Sequence, residues 1–175
     1  HAVPDFNKPP LYYWLAAALY HMLGPGLWAV RLPSVMFALG SFILVWALTK
    51  KITGSWWAAV FACFSLLLNA HWMNFARVGM LESSVAFFLL AAIALGGFSR
   101  FRHSVAGAMG TGILLAFTAW FKHPFFGATL LFFYIHWRFV DKTPSAGKRL
   151  LVAAVSFILL GFLWHTIQTI TWGEA

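Results

Sequence analysis

The sequence predicts an all-α fold: a polytopic transmembrane helical bundle of about six spans, preceded by a juxtamembrane interfacial helix. Three observations predict it. Of the 175 residues 62% are hydrophobic and 9% charged, with a mean hydropathy of +0.81, whereas a soluble domain carries about 25% charged residues. The apolar residues fall in long runs. Twelve Lys and Arg against four Asp and Glu (net charge +8) collect mainly between those runs, which is the pattern of basic membrane-protein loops and not of a nucleic-acid-binding surface. No nucleic-acid partner is expected.

Residues 1–30 read as an outer juxtamembrane segment and 31–175 as the transmembrane helices. Within the first part, Leu11 to Leu23 is apolar and aromatic but too short to span, lying between Pro9-Pro10 and Gly24-Pro25-Gly26. Tyr12, Tyr13, Trp14, Tyr20 and His21 suit a helix lying along the membrane surface. Six apolar stretches follow: Leu32 to Leu48, Trp56 to His71, Ser83 to Phe98, Val105 to Trp120, Phe125 to Trp137 and Leu150 to Ile170. Most approach the ~20 residues that a crossing helix needs, and the fifth does so only with its flanks. His1 is not an initiator methionine, and Trp172 to Ala175 follows directly on an apolar run. Both ends are therefore expected to be cuts through a longer protein, with an N-terminal span, a first acidic loop and a C-terminal remainder missing.

Every second connection is basic. Lys50 and Lys51 follow the first stretch, Arg100 and Arg102 the third, and Arg138, Lys142, Lys148 and Arg149 the fifth. Lys and Arg accumulate on the cytoplasmic side, so these loops are expected there, and the alternate connections are expected outside. Lys8, Arg31, Arg77 and Lys122 then lie on the outer face against that bias, together with Asp5 and Glu82. A single outer face thus collects most of the groups able to do chemistry.

Three local patterns carry four of those groups. In Asn7 to Leu15, two prolines directly after Lys8 pre-set a helix start and hold the ammonium at the membrane surface, where it binds a lipid phosphate as a point charge or snorkels to headgroups. In Asn74 to Ser84, Glu82 stands at the mouth of the third stretch, where a charge needs a reason. Arg77 lies five residues earlier, and a break at Gly79 would bring the two together, either as a functional pair or as a structural ion pair. In Trp120 to Phe125, Lys122 and His123 precede Pro124 between two spans. The single cysteine, Cys63, excludes a disulfide and reads as a buried small hydrophobe. The histidines show no ligand spacing, so no metal site is assigned.

Taken in order, these pieces resemble membrane glycosyltransferases of the GT-C class, in particular the bacterial relatives of protein O-mannosyltransferases and the lipid A aminoarabinose transferase. The likeness rests on Val3-Pro4 before Lys8 to Leu15, Arg31-Leu32-Pro33-Ser34 opening a span, the basic loop Lys50 to Gly54, the Arg77 to Glu82 segment, and Lys122. It implies a sugar donor carried on polyprenyl or dolichyl phosphate, and transfer to a lipid, glycan or protein acceptor on the extracytoplasmic face. Such a protein belongs in the bacterial inner membrane with its active face outward. The resemblance implies that Lys8 binds the lipid phosphate, helped by Arg77, Lys122 and Arg31. It places Glu82 as the catalytic carboxylate of this chain, and Asp5, Tyr12, Tyr13 and His123 as candidate substrate contacts. The family's principal acid lies upstream of the Lys-Pro-Pro segment, so this piece is expected to be inactive alone. Asn7 stands where some relatives have Glu, which leaves any divalent metal, the one cofactor in question, unassigned.

The rival reading is a transporter or flippase of lipid-linked substrates, using the same cations without breaking a bond. It predicts polar residues at mid-membrane along a pathway. Asn69, Ser65, Thr118, His165 and Gln168 are single polar positions, most simply read as helix contacts.

Overall fold

A computed structural model describes residues 11–121, 126–140, 142, 144–163, 166–167 and 170. Every element among the described residues is helical, and they fall into two compact units, His1–Leu90 and Ala91–Ala175.

The first unit opens with α1, Leu11–Leu23, which buries Tyr12 and Ala16, one helical turn apart, and leaves Tyr13, Trp14 and Tyr20 exposed. It ends at Gly24, whose φ of 84° is the left-handed conformation that stops helices. The next helix, α2, runs over Leu27–Thr53, starting five residues before the apolar stretch and ending five after it. Arg31 and Lys50 are therefore both helical, 19 positions apart. At ~1.5 Å per residue this separates them by about 28 Å, close to the ~30 Å of a hydrocarbon core. At the Lys50 end, the ammonium lies 4.9 and 5.1 Å from the rings of Trp46 and Trp56, which pair edge-to-face at 5.2 Å. Such a cluster of lysine and tryptophan suits a membrane–water interface.

The stretch expected as one span from Trp56 to His71 is broken. α3 covers Trp56–Leu68 and α4 Ala70–Val78, bent by 69°. Asn69 makes the break, because its Oδ1 accepts a bond from the Trp72 N–H at 3.0 Å and so caps a new helix. The segment from Asn74 to Leu81, expected as a loop, is consequently helical as far as Val78. The pair begins beside Trp46. Midway, the Cys63 thiol points to the Phe42 carbonyl at 3.6 Å and the Trp72 ring meets Phe42 at 6.5 Å. The pair ends where Gly79 abuts Val30 and Arg31. It thus travels from one end of α2 to the other as a broken span, and does not turn back.

α5, Glu82–Ile93, continues into a π-helical turn, Ala94–Phe98. In the second unit follow α6, Val105–Phe121, α7, Phe126–Ile135 with a π-turn His136–Val140, and α8, Ala146–Gly161. Among the described residues α2 is long and apolar enough to cross a bilayer by itself, and α3 with α4 is so as a pair. The remaining helices are shorter.

The second unit is built on α6 and α8, its most extensive helix pair. Ala108, Gly112 and Ala116 recur every fourth residue and are all buried, letting the backbones approach so closely that Gly112 faces the Ala153 carbonyl. Small residues are what permit such contacts in lipid, where burying apolar surface drives nothing. The π-turns lock together, with Trp137 Nε1 donating to the Gly96 carbonyl at 2.7 Å. Arg149, read from sequence as a loop cation, is instead 2% exposed, with its guanidinium 4.2 Å over the Trp137 ring.

Candidate functional site

The site grows from the corner between α4 and α5. Gly79 ends α4 with φ 84°, and the N–H of Met80 reaches back to the Phe75 carbonyl at 3.4 Å, a Schellman-type closure. Arg77 is exposed on the last turn of α4, and half-buried Glu82 sits in the first turn of α5. Each charge has the sign that its helix end favours. The break at Gly79 is formed, yet Arg77 and Glu82 make no ion pair with each other, and among the described residues Arg77 has none.

Three hydroxyls pin this corner to α1 and α2. Ser34, fully buried directly after Pro33, donates to the Met80 carbonyl at 2.9 Å and lies 2.6 Å from the Tyr12 hydroxyl. Tyr12 reaches the Val30 carbonyl at 2.8 Å, and Ser83 reaches Met80 at 3.2 Å. Tyr12, Ser34 and Ser83 bring three protons to four oxygen–oxygen contacts, so one contact is always without a proton. Two arrangements put a proton in the short contact between Tyr12 and Ser34. In one, Tyr12 donates to Ser34 and Ser34 to Met80. In the other, Ser34 donates to Tyr12 and Tyr12 to Val30, while Ser83 keeps the Met80 carbonyl paired. Both lone pairs of Met80 are taken in the first, and Ser84, whose own back-bond would reach the same carbonyl four residues earlier, is buried with no partner for its hydroxyl among the described residues.

A Cβ on Gly79 would lie 3.2 Å from the Val30 carbonyl, 3.3 Å from the Tyr12 hydroxyl and 3.7 Å from the Arg31 Cα. Arg31, Arg77 and Glu82 are therefore carried on segments that meet at one glycine, at the end of α2 remote from Lys50. Tyr13 is exposed on α1, 48%, whereas Tyr12 turns inward, 3%. Burial raises the Tyr12 phenol above its ordinary 10.0, partly offset by its bonds with Ser34, so it holds its proton at neutral pH. Asp5, Lys8, Lys122 and His123 lie outside the described residues. No group of three or more His, Cys, Asp or Glu that could hold a metal occurs among the described residues.

Ser34→Ala is expected to lower stability by about 1–3 kcal/mol, because it leaves Met80 and Tyr12 short of a partner in a buried place. Thermal unfolding in detergent measures it. Adding Tyr12→Phe should cost less than the two single changes summed, since both act on one network.

The sequence pointed to a break at Gly79, but Ser34 and Ser83 did not stand out as parts that assemble this corner. The only local signals were a serine following a proline inside a helix and a glycine between two charges.

The sequence profile of the dolichyl-phosphate-mannose-protein mannosyltransferase family matches residues 7–167. The chain belongs to this family. The mannosyltransferase-family match takes in Lys8, Arg31, Arg77, Glu82 and Lys122 and leaves Asp5 outside. The chain is also similar to a protein of Aquifex aeolicus (strain VF5) described as uncharacterized, with 28% identity over 169 residues. That alignment covers 96% of this chain and 37% of the relative, so the chain spans little more than a third of the relative's length. No solved structure matches this member of the mannosyltransferase family.

Proposed function

We propose that the full-length protein is an integral-membrane glycosyltransferase of about six or more spans that moves a sugar from a polyprenyl-phosphate donor to an acceptor on the extracytoplasmic face. The observation that carries this reading is the convergence of Arg31 and the Arg77–Glu82 corner on Gly79, at the end of α2 opposite the Lys50 tryptophan cluster. Arg31 and Arg77, with Lys8 and Lys122, meet the phosphate, and Glu82 is the carboxylate that this chain contributes beside them. Tyr13, Asp5 and His123 are the side chains assigned to the substrates.

An apolar groove of about 450 Å³ begins at Pro33, next to Ser34, and is lined by Leu15, Leu19, Met36, Phe37 and Phe87. Its chemistry suits an isoprenoid chain whose phosphate lies near Arg31. In the reaction an acceptor hydroxyl or amine gives its proton to a carboxylate and attacks the anomeric carbon. The bond from that carbon to the phosphate oxygen breaks, and the oxygen leaves with the electron pair, its growing charge met by the cations.

Reconstituting the full-length protein in lipid with radiolabelled polyprenyl-phosphate mannose and candidate acceptors tests the reading. Labelled sugar is expected on an acceptor, with free polyprenyl phosphate as co-product. Donor that crosses the bilayer with its sugar still attached would instead make the protein a flippase.

A further inference from the structure

Below Arg77, the polar face of α4 is used by nothing described so far. His71, Asn74 and Arg77 recur every third residue and are all exposed, while Trp72, Met73 and Phe75 are half-buried and Ala76 is buried. The depth of this face follows from α2. Trp72 meets Phe42, which stands eight positions from Lys50 and eleven from Arg31. At ~1.5 Å per residue these are about 12 and 16 Å, so Trp72 lies near mid-membrane and the break at Asn69 with it. Exposed Ser65 and Asn69 add polar groups at that level.

Hydrocarbon does not tolerate such a face. Where a helix breaks, the last carbonyls of α3 and the first N–H groups of α4 need partners, and among the described residues the Asn69 side chain takes the Trp72 N–H and the Asn69 N–H meets the Leu66 carbonyl, which is only part of the need. Irregular backbone at membrane depth persists only when covered by protein or when it lines a water-filled cavity. A covering helix would have to neutralise Arg77, which has no ion pair among the described residues, and to match the amide and imidazole below it. Water does so without further parts. The stripe is also continuous with the Arg77–Glu82 corner, and His71 stacks parallel to the Phe75 ring at 6.2 Å, presenting a flat ring surface.

We propose that the polar face of α4 is one wall of a water-filled cleft running from the Arg77–Glu82 corner down to the break at Asn69. The cleft takes a hydroxyl-rich sugar headgroup, with Asn74 and His71 as its hydrogen-bonding side chains. The cleft itself stands on geometry, and only its ligand rests on the transferase reading.

Single cysteines at His71, Asn74, Val78 and Ile43 in full-length protein carrying Cys63→Ser, reconstituted in lipid, test both parts with a membrane-impermeant methanethiosulfonate. Val78 flanks Arg77 at the mouth, and Ile43 is a 67% exposed apolar position on α2. His71→Cys and Asn74→Cys are expected to react at least tenfold faster than Ile43→Cys and within tenfold of Val78→Cys. Either position suffices if the other variant does not fold. Reaction as slow as at Ile43, with Val78 reactive, would mean that lipid or another helix covers the face, and would overturn the cleft. Saturating polyprenyl-phosphate mannose is expected to slow labelling of Asn74→Cys at least fivefold. Fast labelling without such protection overturns the ligand, and a separate transfer assay shows whether the transferase reading itself has failed.

Discussion

Glu82→Gln in the full-length protein is expected to lower sugar transfer by at least about a hundredfold, since positioned proton acceptors contribute roughly 10²–10⁴. The change keeps the side chain's size and removes its charge. Glu82 is half-buried at the start of α5, and it is not half of an ion pair with Arg77. The corner is held instead by the Ser34, Ser83 and Tyr12 hydroxyls. Those hydroxyl bonds do not use the Glu82 charge, so its loss is expected to leave the corner's own ties in place. Initial rates with labelled donor, read beside thermal unfolding of the same preparation, separate the two effects. A variant that retains transfer within a few-fold would remove Glu82 from the site, and one that loses its fold in step with its activity would make it a structural group.

Gly112→Val is expected to cost the second unit about 3 kcal/mol or more, and Gly147→Ala to stabilise it. At Gly112 a Cβ collides with the Ala153 carbonyl and comes within 2.9 Å of the Ser156 Cβ, so α6 and α8 have to separate. Both neighbours are fixed parts of a helix and neither can swing aside. Overpacking of this kind costs about 1–3 kcal/mol, and valine adds branches to the clash. A Cβ at Gly147 meets nothing within 4 Å, and in the first turn of α8 alanine should gain up to about 1 kcal/mol from helix propensity. Thermal unfolding of the two variants, followed by near-ultraviolet circular dichroism of the tryptophans, is expected to move in opposite directions. Similar shifts would mean that α6 and α8 do not meet at these residues.

The locations of the helices were largely legible in the chain, because apolar runs and their punctuation are local. Leu11 to Leu23 forms α1, and each of the six stretches contains a helix among the described residues. Three features were misjudged for one reason. The break at Asn69, the helix over residues 70–78 and the burial of Arg149 each depend on a side chain meeting a particular partner, and a hydropathy run does not see such partners. Asn69 looked like a lone polar residue in a span, but its side-chain amide oxygen caps α4. Arg149 looked like a topogenic cation, but Trp137 receives it.

The site shows the same division. Arg31, Arg77 and Glu82 stood out in the sequence because charge beside an apolar run is costly wherever it falls, and that cost is a property of the residue itself. That these three belong to segments meeting at Gly79, that Tyr12 turns inward while Tyr13 stays outside, and that one glycine is indispensable and another is spare were decided by the tertiary structure alone. Those outcomes turn on hydrogen bonds and contacts between residues 18 to 46 positions apart, and such distances are set when the helices pack, not when each one forms.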